Sequence, residues 1–207
     1  MPIEQDINKA LDEFFRCFTP HLDCSNHTED LEKTAHIRRE MIKRIAEHVG
    51  AGAYLDMISG NSIVPLGILY LQEQGVMPGD TAFYITDLDS KVEELAKLNC
   101  DALGIPYERL HFRAVDFDPM GNWYFGLCNM DINGITLVNG SNFIPCPDLF
   151  FDATKRISPD LVIAQTGTAD YIMDSLIING YIANKSSYDV NSCNLDIVVC
   201  RRKDYIE

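Results

Sequence analysis

From Gly52 onward the apolar residues fall into short runs that alternate with helical stripes, and this alternation constrains the fold more than any other feature. Ala53–Ile58, Thr81–Thr86, Arg109–Val115, Gly134–Val138 and Asp160–Ala164 read as five strands. Helical segments separate them. Pro65 suits a first turn, and Leu66–Gln74 continues as helix to Gly75. Ser90-Lys91-Val92-Glu93 has capping-box form and opens a helix to about Leu103. Pro147-Asp148 opens another, ending near Ile157, and Thr168 caps one to about Asn179. Tyr181–Tyr188 and Asn194–Cys200 then read as β runs joined by a short polar segment, which makes them an antiparallel pair. The expected fold is α/β: a Rossmann-like, doubly wound, seven-stranded sheet with a terminal antiparallel β pair.

The first fifty residues differ from the rest. Ile3, Ile7, Leu11, Phe14 and Phe18 recur at helical spacing, with Ala10 and Phe15 beside them, and Pro20 ends the run. A second helix is expected from Thr28, as N-cap, through Leu31, Ala35, Ile42, Ile45 and Val49 to Gly50. Two segments follow: residues 1–52 as an N-terminal helical cap, and 53–207 as the Rossmann-like domain. With 207 residues the chain can bury a core without disulfides. Its seven scattered cysteines read as reduced thiols, and no apolar run nears the roughly 18 residues of a membrane span. The first residues, Met1-Pro2-Ile3-Glu4, lack the basic and apolar regions of a secretory signal. The expectation is a cytoplasmic protein. Its formal charge of −14 opposes a phosphate-backbone partner, the basic exceptions being Arg38-Arg39 with Lys43-Arg44, and Arg201-Arg202-Lys203.

Ligands of such sheets sit beyond the C-terminal ends of the strands, where strand order reverses. Four loops lie there: Asp56–Ser62, Thr86–Asp89, Val115–Asp118 and Val138–Asn142. Asp89 or Ser90 reads as an N-cap, and Asp118 before Pro119 as turn chemistry. Asp87 and Asp116, each directly after an apolar strand, are candidates for function. A carboxylate after the second strand accepts hydrogen bonds from both hydroxyls of a ribose, which fits NAD and S-adenosylmethionine alike. The first loop separates the two. Pyrophosphate binding needs G-x-G-x-x-G, whereas here Gly60 stands alone and Asp56 would repel phosphate. An acidic mouth suits a cationic cofactor without phosphates.

On these residues the chain resembles the class I S-adenosylmethionine-dependent methyltransferases over about residues 53–203. Their first motif would lie on Asp56–Ser62, with Gly60 as the central glycine and Ile58 and Ser62 in place of the outer two. The resemblance implies cofactor contacts from Asp56, Ser59, Gly60 and Asn61. It places the ribose-binding acid on Asp87 and the adenine-facing acid on Asp116. Leu88 and Phe117 become walls of the adenine pocket, and Asn139–Asn142 face the methyl group and the acceptor. A narrower resemblance, to the leucine-carboxyl-methyltransferase-like O-methyltransferases, rests on His36-Ile37-Arg38-Arg39 and on Asp116–Tyr124, and implies that Arg38 or Arg39 holds the cofactor's carboxylate.

Methyl transfer from a sulfonium has a good leaving group, so orientation supplies much of the rate, and a base is needed only when the nucleophile must lose a proton. Asn142 and Tyr124 are the expected acceptor-orienting residues, with His111 and Asp118 also in loops or at strand ends. Phe14, Phe15 and Phe18 pack on the sheet or contribute to a lid. Cys17, His21, Cys24 and His27 are metal-ligand types without the usual pair spacing, and no metal is expected. The expected function is a methyltransferase using S-adenosylmethionine on a small-molecule acceptor by O- or N-methylation. The alternatives are a non-catalytic binding or scaffold protein of the same fold and an RNA methyltransferase using the Arg38–Arg44 helix.

Overall fold

A computed structural model describes residues 4–18, 27–47, 49, 53–56, 62–79, 81–87, 91–114, 135–139, 161–165, 169–190 and 193–203. In chain order the elements are α1 (Glu4–Cys17), α2 (His27–Ala46), β1 (Ala53–Asp56), α3 (Ile63–Glu73), β2 (Ala82–Asp87), α4 (Lys91–Leu103) and a 3-10 turn at Tyr107–Arg109. There follow β3 (Leu110–Ala114), β4 (Ile135–Asn139), β5 (Leu161–Gln165), α5 (Ala169–Ile178), β6 (Tyr181–Val190) and β7 (Cys193–Arg202). The helix expected over 147–157 lies outside the described residues.

The strands form one sheet in the order β3-β2-β1-β4-β5-β7-β6. β1 to β5 run parallel, while β7 is antiparallel to both β5 and β6. The order grows outward from β1 in both directions, so β1 and β4 flank the point where the winding reverses. The β6–β7 hairpin pairs without interruption from Tyr181 with Arg202 to Val190 with Cys193, as its short connection requires. No helix among the described residues is long and apolar enough to cross a membrane.

Several boundaries differ from expectation. Asp87 and Asn139, expected just beyond their strands, are the last residues of β2 and β4. Thr28, expected as an N-cap, lies inside α2, which opens at His27. Glu93, the glutamate of the expected capping box, binds Lys97 Nζ at 2.8 Å and accepts a hydrogen bond from the Tyr107 hydroxyl at 3.1 Å. The bond from Lys97 holds the Glu93 carboxyl below its ordinary range.

Among the described residues, the core lies chiefly on the face of the sheet covered by α1 to α4. α3 is buried along nearly its whole length, from Ile63 to Gln72, which is why its sequence is apolar all round. Above it, α1 contributes Leu11 and Phe14, and α2 contributes Met41, Ile42 and Ile45. Below it lie Tyr54 of β1 and Phe83 and Ile85 of β2, with Leu110 and Phe112 of β3 beside them. Phe14 is fully buried, its ring 5.2 Å from Phe15, 5.3 Å from Phe18 and 5.8 Å from Tyr70 of α3. These phenylalanines pack into the core beneath α1. α2 crosses α3 where Gly67 has no side chain, and a Cβ there would lie 2.5 Å from Ile42 Cδ1.

Candidate active site at the mouth of the parallel sheet

β1 to β5 run parallel, so each points its C-terminal end to the same edge of the sheet. At that edge Asp56, the last residue of β1, is in register with Asn139, the last residue of β4, directly across the switch point. On its other side Asp56 pairs with Ile85. Asp87 therefore stands two residues further along β2, roughly 7 Å nearer the mouth. It pairs in turn with Ala114 of β3. Asp56, Asp87 and Asn139, all predicted from sequence, are thus brought by backbone pairing alone to the edge of the sheet where ligands of doubly wound sheets bind.

The fourth feature of the mouth is the start of α3. Ser62, its N-cap residue, has φ 52° and ψ 26°, a left-handed conformation, and makes no side-chain cap bond. It is 1% exposed, and its Oγ has no hydrogen-bond partner. Sequence reasoning singled out Ser62 only as a small substitute for glycine. The signal it held was a non-glycine residue where the motif has glycine; the positive φ is seen only in the structure.

α2 and α3 run in the same sense. Ile42 faces Gly67, and Ala46 and Val49 stand with Leu71 and Met77 around one cavity. Arg38 and His36 therefore lie toward the same end as Ser62, about 6 and 9 Å along the axis from Ile42. Arg39 is one of the two candidate arginines. It binds Asp12 of α1, and its guanidinium lies 5.0 Å from the Phe15 ring centroid. Arg38 is half-buried, as is His36, whose Nε2 is buried without a hydrogen-bond partner.

Ser59, Gly60, Asn61, Leu88, Asp116, Phe117, Tyr124 and Asn142 lie outside the described residues, as do His21, Cys24 and Asp118. Cys17 is half-buried, with its thiol 3.6 Å from Glu13 Oε1. His111 is in β3, stacked on Tyr84 of β2 with ring centroids 4.8 Å apart, a cross-strand pair that supports the sheet. The cavity that Leu71 and Met77 line, about 900 Å³, opens near the loop that leads into β2, at the opposite end of α3 from the mouth.

No protein-family model and no curated protein sequence matches the chain. Solved structures do. TrmN from Thermus thermophilus is 16% identical at a TM-score of 0.55, over 79% of this chain and 47% of its own. The Pyrococcus abyssi tRNA (uracil-54, C5)-methyltransferase, in complex with S-adenosyl-L-homocysteine, is 13% identical at 0.53, over 79% of this chain and 38% of its own. Magnesium protoporphyrin IX methyltransferase from Synechocystis, with bound S-adenosylmethionine, is 10% identical at 0.57, over 81% and 80%. The chain spans less than half the length of the first two. The chain has the α/β fold of the class I S-adenosylmethionine-dependent methyltransferases.

Proposed function

We propose that this chain is a methyltransferase that uses S-adenosylmethionine and acts on a small-molecule acceptor by O- or N-methylation. The observation that carries the reading is the set of Asp56 and Asn139 in register across the switch point, with Asp87 at the end of the neighbouring strand. This donor set fits the cofactor: carboxylates favour an ammonium and a sulfonium and accept from ribose hydroxyls, whereas they repel a pyrophosphate. Asp87 would hold the ribose, and Asp116, Leu88 and Phe117 the adenine. Asp56, Ser59, Gly60, Asn61 and Arg38 would hold the amino-acid end, with Asn139 at the methyl group. When bound, the cofactor supplies an activated methyl group. The chain's own task is to orient the acceptor, which falls to Asn142 and Tyr124. A formal charge of −14 favours a small acceptor over RNA.

Calorimetry with S-adenosylhomocysteine tests the reading. Wild-type protein binds it, and Asp87→Ala weakens binding by about tenfold or more, the effect of losing hydrogen bonds to a charged group. No binding at millimolar ligand, or undiminished binding by Asp87→Ala, sinks the site. Binding without turnover on any acceptor supports the non-catalytic alternative, which the single glycine of the first loop favours.

A further inference from the structure

We propose that the Ser62 hydroxyl donates a hydrogen bond to the carboxylate at the amino-acid end of the cofactor. The inference rests on the methyltransferase reading and deepens it at a residue whose local structure is otherwise unexplained. Three unfavourable features coincide at Ser62. Its backbone is left-handed at φ 52°, a conformation that suits glycine and disfavours L side chains. Its side chain is 1% exposed, with a hydroxyl that has no hydrogen-bond partner, so its desolvation is uncompensated. It also holds the N-cap position of an 11-residue helix without making the cap bond for which serine is favoured there. Glycine at position 62 would remove the first two costs. A serine under these conditions points to a contact made outside the free chain.

The neighbouring backbone indicates what that contact is. The first amides of a helix have no intrahelical acceptor and carry partial positive charge, which favours an anionic ligand group. In α3 the third residue is Pro65, which has no N–H, and the Leu66 amide already bonds the Ser62 carbonyl at 3.0 Å. Only Ile63 and Val64 therefore present amides free of the helix ladder. Ser62 is the N-cap residue at this end, and its unpartnered hydroxyl would supply the donor that Pro65 lacks. Two amides and a hydroxyl are three donors, within the roughly four acceptor sites of one carboxylate. Among the polar groups of the cofactor, only the amino-acid end carries a carboxylate.

The test uses the full chain with S-adenosylhomocysteine and its decarboxylated analogue, in wild type, Ser62→Ala and Ser62→Gly. Ser62→Ala removes the hydroxyl and keeps the Cβ, whereas Ser62→Gly also relieves the backbone. Both variants are expected to bind S-adenosylhomocysteine about tenfold more weakly. The ligand-free glycine variant should melt a few degrees higher than wild type. The decarboxylated analogue should lose no further affinity on Ser62→Ala. Either variant binding S-adenosylhomocysteine within about twofold of wild type overturns the proposal, because a charge-assisted bond is worth more than that. It is equally overturned by equal losses for the two ligands, or by a glycine variant that is no more stable. Wild-type protein that does not bind S-adenosylhomocysteine defeats the methyltransferase reading itself, an outcome separate from all of these.

Discussion

Gln72 is a polar side chain, only 7% exposed, near the end of an otherwise apolar helix, and three bonds hold its neighbourhood together. Its Nε2 donates to Thr81 Oγ1 at 3.1 Å, its Oε1 accepts from Arg109 at 2.8 Å, and Arg109 also donates to the Thr81 carbonyl at 3.3 Å. The arginine is further paired with Glu73. The network ties the C-terminal end of α3 to the start of β2 and β3. It also explains Gly79, whose φ is 148° and where a Cβ would stand 2.2 Å from Gln72 Nε2. Gly79→Ala must therefore displace an amide fixed on both sides, and should cost about 2–4 kcal/mol in urea unfolding. Gly75→Ala is the control. At φ 67° with nothing within 4 Å it carries backbone strain alone, about 1–2 kcal/mol. Equal losses for the two would mean that the Gln72 side chain moves aside freely. None of this network was legible in the sequence, because Gln72, Thr81 and Arg109 acquire their roles only when distant segments meet. The place of Asp87 was legible within one residue, because an acid directly after an apolar run is a local pattern, whereas Asp56 ends a strand that the sequence extends to Ile58. Ser62 was legible as a departure from glycine, but its φ and its burial were not.

At the scale of elements, alternation of apolar runs located the strands and helices, and the short polar segment before Cys193 implied the terminal hairpin. Less legible was why α3 is apolar on every side. Periodicity describes one buried stripe, whereas α3 has the sheet beneath it and α1 and α2 above it. The close crossing of α2 over α3 depends on Gly67. Alanine there gains about 1 kcal/mol in helix propensity, but its Cβ meets Ile42 Cδ1 at 2.5 Å in a fully buried position. Overpacking of about 1–3 kcal/mol should outweigh the gain, so Gly67→Ala is expected to destabilise. Ile42→Val removes the clashing methyl and alone costs about 1 kcal/mol. The double variant should then be more stable than the sum of the single changes by about 1 kcal/mol. Strict additivity, or a stabilising Gly67→Ala, would show that α2 is not held against α3 at this point.

Over the whole molecule, composition told of a burdened charge balance but not of how the buried titratable groups would respond to pH. Cys100 of α4 and Cys200 of β7 are both fully buried. Burial pushes each thiol up from an ordinary 9.0 to about 12, helped at Cys100 by Asp101 and Glu108. The Tyr107 hydroxyl is raised as well, first by burial and then by its bond to Glu93. The sign follows from proton binding. Between pH 9 and 12 the unfolded chain has released these thiol protons and the folded chain retains them. Rising pH therefore favours unfolding. Each thiol contributes a fall of at most about 1.4 kcal/mol per pH unit in that window, and none below it. The formal charge of −14 at pH 7 acts in the same direction, since every further deprotonation adds to self-repulsion. Urea unfolding at steps from pH 7.5 to 10.5 should show stability falling above pH 9. In Cys100→Ala the overall stability is lower, because a cavity is created, but the decline above pH 9 is shallower than in wild type. The two thiols should also resist alkylation at pH 8 in the native fold, because the reactive thiolate is suppressed and access is closed. Flat stability across the alkaline range, an unchanged slope in Cys100→Ala, or rapid labelling of either native thiol would show that these cysteines are not held neutral by the core.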